Sequence, residues 1–129
     1  MIDMLGFLVY GIEPAEVIAA LENGREAIRN GWCRKTACRV INGNDHYCAT
    51  GAAYCQKNLD ENLGRKVQHC ACELLKQYYR VAIRDPKRKL AHRVPDTIVK
   101  WNDALSSKRP ILNLYDGLIN LMKAKYGLK

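Results

Sequence analysis

Apolar positions recur every three or four residues along three long stretches of this chain, and each stretch predicts a helix. Val17, Leu21, Gly24 and Ile28 form one stripe, with Ile18 and Ala20 at its edges, over residues 14–30. Pro14 suits the first turn, and Gly31 after Asn30 reads as a left-handed cap. Val67, Cys70, Ala71, Leu74, Leu75 and Tyr78 predict a second helix over 66–80, with His69, Cys72 and Lys76 on its other side. Ile111, Leu114, Tyr115, Leu118 and Met122 predict a last helix over 110–126, capped by Ser106 or Ser107. Before it, a short helix opening at Val94-Pro95-Asp96 turns Ile98, Trp101 and Leu105 inward.

Between the first two helices the pattern changes. Thr36 to Ile41 is β-prone, Asn42-Gly43-Asn44-Asp45 is dense in turn residues, and His46-Tyr47-Cys48 reads as a returning strand. Asn-Gly between such runs is the strongest short-range hairpin signal. An isolated hairpin is marginal in water, so this one must pack on helices. Ala49 to Cys55 reads as a short helix of small residues, and Asn58 to Gly64 as a polar loop. The expected fold class is mostly α (α+β): a compact bundle of four to five helices with one β-hairpin, in a single domain over 1–129.

Composition adds little to the fold but more to the partner. A chain of 129 residues can bury a core without a metal or a disulfide framework. The formal net charge of +8 favours anionic partners, either nucleic acid or an acidic protein. The apolar N-terminal run from Leu5 to Ile12 is too short to span a bilayer and lacks the marks of a signal peptide. A cytoplasmic location is expected, without membrane association. Six cysteines could form three bridges in a secreted protein, but a reducing compartment keeps them as thiols.

Gly31-Trp32 after a helix, Tyr47-Cys48-Ala49-Thr50-Gly51-Ala52 after a hairpin at Asn42-Gly43, and Trp101-Asn102-Asp103 before a last helix carry a likeness. This order, spanning about Pro14 to Met122, resembles an uncharacterised domain family of small bacterial and phage proteins. The resemblance implies a bacterial or phage origin and no established activity. An accessory role in modulating host machinery, such as inhibition of a host defence, is an expectation that goes with it. Cys33, Cys38, Cys55, Cys70, Cys72 and the basic run over 84–93 depart from the family pattern.

Four constellations could carry chemistry. Cys48 stands where a strand hands over to a helix, a place that favours a thiolate nucleophile. His46 alternates with it on the strand and could act as base, as could His92, with Asp103 or Asn102 as orienter. The alternative function is therefore a small cysteine-dependent enzyme. Cys33/Cys38 and His69-Cys70-x-Cys72 have loose metal-ligand spacing, but neither half fits a zinc knuckle, and no metal or cofactor is expected. Arg84, Lys87, Arg88, Lys89 and Arg93, joined by Arg34, Lys35 and Arg39 near the hairpin, form a basic surface suited to phosphates or carboxylates. Trp101-Asn102-Asp103 suits a structural role, with Trp101 in the core and Asp103 accepting backbone N–H groups from the last loop or the Trp32 turn. The leading expectation is a non-enzymatic regulatory protein that binds nucleic acid or an acidic protein through its basic surface.

Overall fold

The computed structural model describes residues 11–54, 61–85, 87 and 94–127. Among the described residues, five helices and one hairpin follow in the order α1 (Pro14–Asn30), β1 (Cys38–Ile41), β2 (Asn44–Tyr47), α2 (Ala49–Tyr54), α3 (Glu61–Ala82), α4 (Ile98–Ala104) and α5 (Arg109–Lys125). The fold is mostly α with an antiparallel two-stranded sheet. No helix among the described residues is long and apolar enough to cross a membrane.

The predicted stripes are the buried ones. Val17, Leu21 and Ile28 of α1 face Ile111, Leu114, Tyr115 and Leu118 of α5, and Leu74 and Leu75 of α3 close the same core. At α1 the Glu16 carboxylate accepts the Glu13 N–H at 3.2 Å, which satisfies a backbone donor at the helix entry. Across the bundle the Arg25 guanidinium holds Asp116 at 2.7 Å and ties α1 to α5. Tyr79 and Trp101 pack with ring centroids 5.2 Å apart in a tilted arrangement, which anchors α4 against α3.

Several boundaries and faces differ from the sequence reading. Helix α3 begins at Glu61, so 61–64 is helical rather than loop. Cys72 lies in the core at 6% exposure, and the buried tyrosine of α3 is Tyr79, whereas Tyr78 is half-buried. Helix α3 is covered by α1, α2 and α5 together, so its buried face is wider than one stripe. Lys108, not Ser106 or Ser107, stands at the cap of α5, and its side chain makes no capping bond.

The hairpin turns on Asn42 and Gly43 alone, at φ 52° and 79°, the signature of a two-residue primed turn. Asn44 and Asp45 belong to β2, opposite Ile41 and Val40. Gly31 is not a left-handed cap, because its φ and ψ are −169° and 108°. Glycine is required there by space: a Cβ would run into the Asp45 carbonyl. The chain passes so close because 31–33 pairs alongside β2, with the Tyr47 N–H donating to Gly31 O at 2.9 Å and the Cys33 N–H to Tyr47 O at 3.0 Å.

Candidate functional site

The three motifs of the sequence meet at one side chain. Asn102, fully buried on α4, accepts the indole N–H of Trp32 at 2.9 Å and the backbone N–H of Ala49 at 3.0 Å on the same oxygen. Its amide nitrogen donates to the Cys33 carbonyl at 3.2 Å and to Asp103 at 3.3 Å. All the hydrogen-bonding capacity that a buried amide offers on both sides is engaged, which a low-dielectric site demands. Asp103 accepts the Lys35 N–H at 2.6 Å, and Arg34 donates to the Leu105 carbonyl at 3.1 Å while its guanidinium lies 6.0 Å from the Trp32 ring. The loop from Gly31 to Ala37 is thus sewn to α4 and its end, and Lys35 is held at φ 69°.

Cys48 occupies the predicted strand-to-helix junction, but its thiol is a cap. The Gly51 N–H points at its sulfur at 3.3 Å, and the Thr50 hydroxyl lies at 3.5 Å. The residue is buried, and among the described residues no histidine meets the thiol. The His46 ring turns back, with Nδ1 donating to its own strand's Asn44 carbonyl at 3.0 Å. Asp103 serves Lys35 and Asn102, and His92 lies outside the described residues. The proposed nucleophile, base and orienter are therefore not brought together by the described structure.

Nor do the metal-ligand candidates converge. His69 is exposed while Cys70 and Cys72 are buried, and no group of three metal-ligating side chains occurs among the described residues. The Cys33 thiol is buried and points at the carbonyls of Thr36 and His46. Burial pushes it above the usual thiol range, and the nearby Cys48 adds to that, while the Arg39 guanidinium pulls the other way. Burial likewise raises the Cys70 thiol. Cys55 lies outside the described residues.

The basic residues divide. Arg34, Lys35 and Arg39 gather on the loop and strand beside the hairpin, all exposed. Arg84 is half-buried near Tyr79 and Asp96, and Lys87 is exposed with its backbone N–H on Asp85. Arg88, Lys89 and Arg93 lie outside the described residues. One feature was missed in the sequence: β1 is exposed along its whole length, with Val40 at 64% and Ile41 at 37%. Adjacent apolar residues fall on opposite faces of a strand, and only a strand that projects from the body leaves both uncovered. Short strands with a two-residue turn were the available signal.

Compared with protein-family models, with curated proteins and with solved structures, the chain shows no significant match.

Proposed function

We propose that this is a non-enzymatic binding protein of the cytoplasm that regulates an acidic protein by docking its basic hairpin onto it. The observation that carries this reading is the exposed strand β1. It places uncovered Val40 and Ile41 beside Arg39, with Lys35 and Arg34 at its base. The Arg39 guanidinium and the Lys35 ammonium make no ion pair among the described residues. Apolar side chains ringed by cations fit a protein surface carrying carboxylates around an apolar centre. A polyphosphate backbone would use the charges and leave Val40 and Ile41 in water. The Asn102 bonds support the reading, since they hold the loop below the hairpin in one conformation and so lower the ordering cost of binding.

The test is a pull-down from a nuclease-treated lysate of the source cells, comparing the wild type with a Lys35→Glu/Arg39→Glu variant. An acidic protein retained by the wild type and lost by the variant is the expected result. Capture that disappears with nuclease treatment assigns the surface to nucleic acid instead.

A further inference from the structure

We infer that the free edge of β1 takes up an extended acidic segment of the partner as a third strand of the sheet. The inference rests on the reading of the hairpin as a protein-docking surface and specifies how it docks.

The direction of the backbone groups follows from the register. Pairs in an antiparallel ladder alternate between those that exchange hydrogen bonds and those that do not. Tyr47, opposite Cys38, sends its N–H and C=O away from β1, to Gly31 and Cys33. The Cys38–Tyr47 pair is therefore a non-bonded one. Two residues along, the Val40–Asp45 pair is non-bonded as well. Hence the N–H and C=O of Val40 point outward from β1. Neither has a hydrogen-bond partner among the described residues. On the same edge the Cys38 carbonyl already accepts the Thr36 hydroxyl at 3.3 Å, so Val40 marks the open part of the edge.

An edge strand with open backbone groups and apolar side chains is a template for another strand, and proteins usually blunt such edges. Here the far edge of β2 is closed by the 31–33 segment, while the outer edge of β1 pairs with no strand among the described residues. The charge selects the occupant. Arg39 and Ile41 stand on one face of the strand, Cys38 and Val40 on the other. An added strand alternating carboxylates with apolar residues would set its carboxylates by Arg39 and its apolar residues by Val40. A second copy of the chain is a poorer occupant. Antiparallel pairing of β1 with itself about Arg39 would oppose two guanidinium groups, and each chain carries +8.

The test uses the full chain and a fluorescein-labelled peptide of alternating glutamate and valine, followed by anisotropy. The wild type binds it. Arg39→Glu weakens binding by about tenfold, through lost attraction and added repulsion. Val40→Pro, which removes the outward N–H without touching a ladder bond, weakens it by about tenfold as well. The near-UV circular dichroism of Trp32 and Trp101 reports whether the proline variant keeps its fold. Amide exchange on the wild type needs no variant: the Val40 N–H exchanges fast alone and is protected by the peptide. Binding that survives Val40→Pro, without protection of that amide, overturns strand addition but leaves the charged docking surface in place. Binding unaffected by either variant overturns both. Failure of the wild type to bind the peptide, or tighter binding of a DNA duplex of equal charge, overturns the inference. Self-association seen by sedimentation, lost in Val40→Pro, assigns the edge to a second copy and overturns it too.

Discussion

The side-chain oxygen of Asn102 accepts the indole N–H of Trp32 at 2.9 Å, across 70 positions of sequence. The same buried amide serves Ala49 and Cys33. Asn102→Ala would strand a backbone N–H and a backbone carbonyl in the interior and take the partner from the half-buried Trp32 indole N–H. A loss of about 3 kcal/mol or more is expected from urea unfolding, since each orphaned buried group costs about 1–3 kcal/mol. The exposed Asn120 on α5 is the control, and its replacement by alanine should stay within about 0.5 kcal/mol of the wild type.

Two glycines separate lack of space from backbone strain. A Cβ on Gly51 would strike the backbone of Ala37, where the Cys48 N–H also docks at 3.1 Å. Gly51→Ala should cost about 3 kcal/mol and shift the hairpin away from α2. Gly43 has open space around it but sits at φ 79°. Gly43→Ala should cost only about 1–2 kcal/mol, the strain of a left-handed alanine. Equal losses in the unfolding midpoints of the two variants would contradict this.

Alkylation should distinguish the thiols. Cys38 is exposed, whereas Cys33, Cys48, Cys70 and Cys72 are buried. Iodoacetamide at neutral pH, followed by peptide mass mapping, should modify Cys38 in the folded protein and those four only after denaturation. Rapid labelling of Cys48 in the folded state would revive a nucleophilic role for it, because a capping thiol buried against Gly51 is out of reach.

Stability should fall in alkali, and the sign follows from burial. Desolvation pushes the Tyr79 phenol up to about 12, with Arg84 opposing it, and holds the Tyr115 phenol well above its ordinary 10.0. The Cys33 and Cys70 thiols are raised above 9.0. These groups fold as neutral acids. Their contribution is whole below the unfolded values and is lost as pH climbs through the folded ones. Urea midpoints should therefore decline from about pH 9 and more steeply between about pH 10 and pH 12. Tyr79→Phe, at the cost of its bond to the Pro95 carbonyl, should flatten the upper part of that curve.

Tyr115 also carries a bond with a distinct signature. Its hydroxyl donates to the Ala49 carbonyl at 2.6 Å in a fully buried site, so α5 holds the first turn of α2. Tyr115→Phe leaves that bond unmade with little change in volume, and about 1–2 kcal/mol should be lost in thermal unfolding.

The sequence by itself determined the helices and the turn. Stripes such as Val17, Leu21 and Ile28 repeat at the helical period within one segment, so local spacing reveals the face that meets the core. Asn42-Gly43 is equally local, because both positions need positive φ and few residues tolerate it. The basic character of the hairpin base, in Arg34, Lys35 and Arg39, was legible for the same reason. Tertiary structure alone decided the rest. It buried Cys72 and Tyr79 outside the simple stripe, turned the Cys48 thiol into a cap, required glycine at 31 for space, and left the residues of β1 exposed. It also made Asn102 the meeting point of segments separated by 53 to 70 positions. Such bonds join a side chain to distant backbone, and they leave no period in the sequence from which they could be read.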